Sequence, residues 1–290
     1  MTNITKFTSF KIIQTNSDFF KFINQYRINP DSFIILQTID HEMENITRKT
    51  LIYKSGLGIP AINHVRGCSH GCRYPCYAYM IAHSHQQVKS YDEWCKPQLV
   101  SNAAELLSKE LSHKRVLPDH IHLCLSTDPF MYGYPEVKEM TLKLIRIMNS
   151  CGVHASVLTK GILPEELADE KKYSIKNTYG ISLISLNEDF RKRWEPGAAP
   201  YSERIAALKN LSENGLTTLV HMEPYPTPNI IQQNLTNILE SVSFADTIQF
   251  GGWNYNNLPK QFPEFEKFYT SQAAIVMRFC KEHDIHCETF

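Results

Sequence analysis

Three cysteines, Cys68, Cys72 and Cys76, fall within nine positions of the stretch GCSHGCRYPCYAY (67–79), while Cys95, Cys124, Cys151, Cys280 and Cys287 are scattered. Eight cysteines in a chain of this size are too sparse for a disulfide scaffold, and a tight group of three points to metal. Gly67 and Gly71 give one short loop the backbone freedom to wrap three thiolates around a small iron–sulfur cube. Cluster ligation usually takes four cysteines, so a triad would leave one iron open to a substrate. The same three cysteines with His70 or His64 could instead hold a structural zinc. Zinc sites, however, generally draw a second ligand pair from elsewhere, and no such pair stands out. The cysteines alone leave both chemistries open.

The rest of the chain must build a scaffold for that loop. Its 290 residues suffice for one substantial core. Hydrophobic and charged fractions of 42% and 21% exclude the disordered and fibrous classes. A formal charge of zero removes any whole-molecule attraction to nucleic acid or to an anionic membrane. The compact basic runs, KRV (114–116) and RKRW (191–194), read as solvated helix faces. The opening MTNITKFTSFKII lacks the pattern of a secretory signal, and no run of about 18 apolar residues could span a membrane. A cytoplasmic protein is expected.

Short β-rich runs at 59–65, 120–126, 153–159, 179–185, 216–222 and 246–252 alternate with helical patterns. The helical stretches, such as AAELLSKEL, VKEMTLKLIRIM, ERIAALKNLSENG and QQNLTNILESV, carry apolar residues three and four apart. Gly152 and Gly215 stand where helices end, and Pro135 and Pro164 where helices open. Six strand–helix units imply an α/β fold with a parallel sheet curled into a barrel or part of one, its chemistry at the C-terminal strand ends. The first 58 residues break this rhythm. NSDFFKFINQYR reads as a capped helix, and FIILQTI and TLIYK as strands, so residues 1–58 are expected to form an extension packed on a barrel of residues 59–290.

The segment NHVRGCSHGCRYPCYAY (63–79) resembles the cluster loop of radical S-adenosylmethionine (radical SAM) enzymes, in the branch that contains spore photoproduct lyase. The resemblance continues in order through STDP (126–129), LTK (158–160), Ser182 of GISLIS, and WEPGAAPYSERIAAL (194–208), covering about residues 60 to 230. Two departures are plain. The superfamily's usual spacing is C-x3-C-x2-C, but here both Tyr74 and Pro75 separate Cys72 from Cys76. The Gly-Gly-Glu stretch of other radical SAM proteins is not found.

The resemblance implies a partial (β/α)6 TIM-type barrel and a 4Fe–4S cluster on Cys68, Cys72 and Cys76. SAM would chelate the open iron, and a reductant such as flavodoxin or ferredoxin would supply the electron that cleaves it to a 5′-deoxyadenosyl radical. Lys160 and Ser182 are then expected at the SAM carboxylate, Ser126, Thr127 and Asp128 at its ammonium or ribose, and Tyr74 or Tyr77 beside its adenine. Arg204 joins this cofactor set and pairs with Glu195. In spore photoproduct lyase a cysteine near the position of Cys124 returns hydrogen to the product radical, which makes Cys124 a candidate catalytic residue beside Tyr77. Cys124 and Ser126, two apart on a strand, are expected to face the same way. His221, Glu223 and Tyr225 of LVHMEPYPTP, with Trp253 and Asn254, are candidate substrate contacts, because burying unpaired polar groups is costly. Substrates open on these grounds are a small molecule, a peptide or a nucleic-acid lesion, the last disfavoured by the neutral charge. An iron–sulfur sensor and a zinc-containing nucleic-acid-binding protein, neither turning over SAM, are the rival readings.

Overall fold

Strand β7 (His154–Thr159) sets the pattern of the whole barrel. Its side chains alternate half-buried and buried, so that Ala155, Val157 and Thr159 turn outward under the helices while His154, Ser156 and Leu158 face the interior. The computed structural model describes residues 43–290. Around β7 runs an eight-stranded sheet in the order β11-β10-β9-β8-β7-β6-β3-β2. Its members are β2 (Ile52–Lys54), β3 (Pro60–Ile62), β6 (His120–Leu123), β8 (Thr178–Ser182), β9 (Thr217–Tyr225), β10 (Thr247–Gly252) and β11 (His286–Thr289). Every pairing from β3 to β11 is parallel; only β2 joins antiparallel, as a hairpin with β3. The two edges, β2 and β11, do not pair with each other, so this is a partial TIM-type barrel, open along one side.

Helices cover the outer face where the sequence periodicity places them: α3 (Ala103–His113), α4 (Pro135–Ser150), α6 (Tyr201–Glu213) and α7 (Leu235–Ser241). In α4, Pro135 sits in the first turn, where its missing N–H costs nothing. Val137, Thr141, Leu144, Ile145 and Met148 form the stripe that the helix buries against the sheet. Each such large apolar side chain, fully buried, contributes roughly 1.5–3 kcal/mol. Gly152 (φ +75°) then reverses the chain into β7. Four further helices are α1 (Tyr77–Ser84), α2 (Tyr91–Trp94), α5 (Glu188–Trp194) and α8 (Phe265–Glu282).

A separate small sheet combines β1 (Glu44–Ile46), β5 (Gln98–Val100) and β4 (Val65–Arg66), in the order β1-β5-β4. It pins the entry to the cysteine loop, because β4 runs directly into Gly67. The expected boundary at residue 58 falls inside the β2–β3 hairpin, and residues 43–58 belong to the same compact unit as the barrel. TLIYK forms a strand, as β2; the helix expected over NSDFFKFINQYR and the strand over FIILQTI lie outside the described residues. Strand β6 is shorter than expected. It stops at Leu123, and Cys124 turns into the left-handed region (φ +59°), which ends side-chain alternation before Ser126.

Candidate functional site

The backbone of the cysteine loop is held from three directions. Cys68 N donates to Trp94 O (2.9 Å), Arg73 N to Trp194 O (2.8 Å), and Gly197 N to His70 O (2.9 Å). Ser69 N points at Met131 Sδ (3.4 Å), and the Tyr91 hydroxyl donates to Cys72 O. At Gly67 (φ +82°) a Cβ would lie 2.5 Å from Trp94 O, so the turn into Cys68 demands glycine for both its conformation and its close approach. Cys76 then stands at the N-cap of α1. Burial pushes the Cys72 thiol up to about 12 and raises that of Cys68 well above its usual value. Such thiols are poor free nucleophiles, and coordination to a cation is what would make them thiolates.

Three cysteines on one loop suit a cluster, and neither histidine that could complete a zinc site is free. His64 is fully buried, with Nε2 2.8 Å from Thr141 Oγ1 and Nδ1 3.4 Å from Cys124 Sγ. His70 Nε2 accepts from Tyr132 N (3.2 Å), and its Nδ1 lies 3.5 Å from Asp128 Oδ2. Among the described residues no three His, Cys, Asp or Glu side chains are gathered around one point. A zinc ion would draw its sulfurs to about 2.3 Å from a single centre. In a cube each thiolate binds its own iron, so the sulfurs stand farther apart.

Behind the loop lies a buried charge pair. Arg204 and Glu195 side chains are fully enclosed, with Arg204 Nη2 to Glu195 Oε2 at 2.8 Å. The guanidinium also donates to Ser182 O and Ala199 O, both at 2.9 Å, and stacks over Tyr201. Glu195 Oε1 accepts from the Tyr74 hydroxyl (2.6 Å). Burial pushes the Glu195 carboxyl up, but Arg204 and Lys160 outweigh it and hold it below the usual range. The expected Glu195–Arg204 pair therefore forms. The guanidinium is fully buried among these partners and braces the segment between α5 and α6.

Asp128 is also engaged by the protein. Its carboxylate already accepts from Phe130 N (2.9 Å), Lys160 N (2.8 Å) and the Thr159 hydroxyl (2.6 Å), beside His70. It ties the ends of β6 and β7 to the cysteine loop. Cys124 is sealed from solvent against His64, with its thiol pushed up to about 12 by burial; it does not share a face with Ser126. Tyr225 is also fully buried, packed between Phe250 and Phe268.

The remaining candidates gather at the C-terminal strand ends. Lys160 Nζ lies 5.9 Å from the Tyr74 ring centroid, and Tyr74 meets Trp253 edge to face at 5.4 Å. Trp253 in turn contacts Trp194 at 4.9 Å. Tyr77 is half exposed, and its hydroxyl bonds to Leu125 O in the turn after β6. Asn63 donates to both Tyr53 Oη and Ser126 Oγ at 2.8 Å, joining the ends of β2, β3 and β6. On β9, His221 Nε2 lies 3.7 Å from Glu223 Oε2, and Asn254 Nδ2 donates to Glu223 Oε1 (3.0 Å). Burial lowers His221 to about 4, with Lys160 adding to the effect, and raises Glu223. Four buried polar atoms here have no partner among the described residues: Ser69 Oγ, Thr127 Oγ1, His221 Nδ1 and Trp253 Nε1. Orphaned groups on the cysteine loop and on the ends of β6, β9 and β10 suit a polar ligand, since each left unpaired costs about 1–3 kcal/mol. The partners of Tyr53, His70 and Trp194 could not be read from the sequence, because each bonds or packs across long stretches of chain.

Comparison with known proteins agrees with this arrangement. The family model described as the Radical SAM superfamily matches residues 62–230, more than half of the chain. Curated relatives include the uncharacterized protein ORF301 of Acidianus two-tailed virus, 24% identical over 191 residues (63% of this chain and 61% of that protein). Another is the uncharacterized protein Rv2578c of Mycobacterium tuberculosis, 26% identical over 167 residues (56% of this chain and 48% of that protein). The chain thus spans about half to three-fifths of the length of these relatives. Among solved structures, spore photoproduct lyase complexed with dinucleoside spore photoproduct superposes with a TM-score of 0.63 at 14% identity, covering 94% of this chain and 93% of that one. A mutant of the same lyase with bound AdoMet and the dinucleoside gives 0.59 at 12% identity, with the same coverage. The superfamily's cofactors are a 4Fe–4S cluster and SAM, and the loop that would carry them stands at the C-terminal end of an open parallel barrel. By its matched core and its fold, this chain belongs to the radical SAM superfamily.

Proposed function

We propose that the protein is a radical SAM enzyme of the spore photoproduct lyase-like kind, acting on a polar substrate at the barrel mouth. With Cys68, Cys72 and Cys76 holding a 4Fe–4S cluster, SAM bound at its open iron would supply, on one-electron reduction by a flavodoxin- or ferredoxin-type donor, a 5′-deoxyadenosyl radical. The chain's own residues then have separable tasks. Lys160 balances the SAM carboxylate from the end of β7, with Ser182 adding a hydrogen bond. Ser126 and Thr127 accept from the ammonium or ribose. The half-exposed ring of Tyr77 is more open to an adenine than the buried ring of Tyr74. His221, Glu223 and Trp253 orient the substrate, and the Tyr74–Trp253–Trp194 cluster keeps water from one wall of the site.

The observation that carries this reading is the set of orphaned polar atoms on Ser69, Thr127, His221 and Trp253, one on the cysteine loop and the others on β9 and in the segments after β6 and β10. The test is anaerobic reconstitution with iron and sulfide, then dithionite and SAM, with 5′-deoxyadenosine measured by mass spectrometry. Product from the wild type and none from Cys72→Ala is expected. A cluster whose EPR signal ignores SAM, with no product, would replace the enzyme by the iron–sulfur sensor.

A further inference from the structure

Helix α8 and strand β11 each carry a cysteine outside the cysteine loop. In α8 the buried stripe is Val276, Phe279 and Cys280, so the Cys280 side chain points at the sheet. Strand β11 pairs in parallel with β10, with Cys287 beside Ile248 and Glu288 beside Gln249. Glu288 Oε2 accepts from Gln249 Nε2 (2.7 Å), which fixes both of those side chains on one face of the sheet. Alternation then turns Cys287 to the other face, shared with the fully buried Ile248, the face that α8 covers.

The connection between the two elements is tight. Helix α8 ends at Glu282, Asp284 takes the left-handed conformation (φ +56°), and Ile285 N donates to Cys280 O (2.9 Å). This bond folds the start of β11 back against the last helical turn. Cys280 lies in the outer core and Cys287 packs against that core. The two thiols are close enough to influence each other. Burial pushes Cys280 up to about 12, and the neighbouring sulfur of Cys287 adds to the rise. Burial raises Cys287 as well, but the Cys280 thiol proton beside it offsets part of the effect. The pair is unequal: Cys280 is sealed from solvent, whereas Cys287 is half-buried and the more readily ionised of the two.

We propose that Cys280 and Cys287 form a redox-active dithiol, which a small disulfide such as oxidised glutathione converts to an intramolecular disulfide. The Cys287 thiolate attacks one sulfur of the oxidant, forms a mixed disulfide with it and expels a glutathione thiolate. Cys280, giving up its proton, then attacks the Cys287 sulfur, forms the Cys280–Cys287 bond and expels the second glutathione thiolate. Two protein thiols are oxidised, one small disulfide is reduced, and the two protons pass to the released thiolates. Strand β11 lies at the edge of the eight-stranded sheet and pairs with β10 alone, so the bridge fastens to α8 a strand that borders the barrel opening. Neither cysteine belongs to the proposed radical SAM site, so the dithiol and the enzyme stand or fall separately.

The test is peptide mapping of the cluster-reconstituted full chain, incubated anaerobically with oxidised glutathione, alkylated at its free thiols and cut with trypsin. Cleavage after Arg278 and Lys281 puts Cys280 in peptide 279–281 and Cys287 in peptide 282–290. The expected product is these two peptides joined, two hydrogens lighter than their sum and separated by dithiothreitol. Cys280→Ser should stop at the first step and accumulate glutathione on Cys287, while Cys287→Ser should leave Cys280 without glutathione. Glutathione on Cys287 of the wild type with no joined peptides, both thiols still free, or Cys280 joined to a different cysteine would overturn the pair. The wild-type map decides the question even if Cys280→Ser, which alters a buried side chain, fails to fold.

Discussion

Arg204 illustrates how much a single side chain can depend on one partner. It is fully buried, and its charge is tolerated there only because Glu195 lies 2.8 Å away and two carbonyls take up further N–H groups. Glu195→Gln keeps the shape and an acceptor for Tyr74 but leaves the guanidinium unpaired. Breaking a buried pair from one side typically costs about 3–5 kcal/mol, so the variant should show a clearly lower urea midpoint at unchanged slope. Adding Arg204→Met should recover part of that loss; no recovery would mean that the pair is not what the variant disrupts. Asp128 offers a second check at this scale. Asn in its place presents an amide where two backbone N–H groups and a hydroxyl now converge, and stranding one or two buried donors should cost about 1–3 kcal/mol each, read from the same denaturation curves. The Glu195–Arg204 partnership is legible in the sequence because both residues lie in one short motif. The third member, Tyr74, lies 121 positions from Glu195 and is joined to it only by the fold.

At the scale of elements, the sequence is most informative where one face is apolar and the period is clean. All six expected barrel strands are present, since their outward residues are buried under helices, and the spacing of apolar residues identifies α3, α4, α6 and α7. Helix α8 carries a comparable stripe, with Val276, Phe279 and Cys280 buried, but the polar run Thr270-Ser271-Gln272 interrupts it and hides the helix from its periodicity. The small β1-β5-β4 sheet is illegible for a different reason. Strands of two or three residues have no period, and the pairing of β1 with β5 across more than 50 positions is set by tertiary contacts. Cys124 shows the limit of alternation as a guide, because one left-handed residue at the end of β6 cancels the inference from its neighbour two places on. Two glycines separate local strain from steric exclusion. Gly152 has φ +75° and open space around it, so Gly152→Ala should cost only about 1–2 kcal/mol. Gly67 combines φ +82° with a Cβ position 2.5 Å from Trp94 O. Gly67→Ala must therefore displace the entry to the cysteine loop, and the reconstituted protein should retain markedly less iron per chain than Gly152→Ala, measured beside wild type.

For the whole molecule the decisive feature is a barrel that is apolar outside its strands and polar within. Leu144, Ile145, Val220 and Ile248 build the outer core, whereas His122, Ser156, Thr178, His221 and Glu223 face an interior left open between β2 and β11. Burial puts several histidines where charging them is unfavourable. Burial lowers His64 to about 3 and both His122 and His221 to about 4, against an ordinary value near 6.5. Above pH 6.5 these residues are neutral both folded and unfolded, and contribute no pH dependence. As pH falls below 6.5 the unfolded chain takes up protons that the folded chain refuses, so stability drops until the folded values are reached. Glu195, held low mainly through Arg204, acts in the same direction at still lower pH: its contribution is present above the ordinary carboxylate range and is lost as pH falls through its depressed value. The expected result is a protein whose urea midpoint is flat from pH 8 to about 7 and falls steadily from about pH 6.5 to pH 4. Each histidine that stays neutral costs roughly 1.4 kcal/mol for every pH step of one below its ordinary value, so the total loss is several kcal/mol. Replacing His64, which is sealed between Thr141 and Cys124, by Gln should flatten the lower part of that slope, even though it lowers stability at neutral pH. A slope unchanged by His64→Gln would place the acid sensitivity in other groups, and a midpoint that stays flat down to pH 5 would mean that the barrel interior is wet enough to charge its histidines freely.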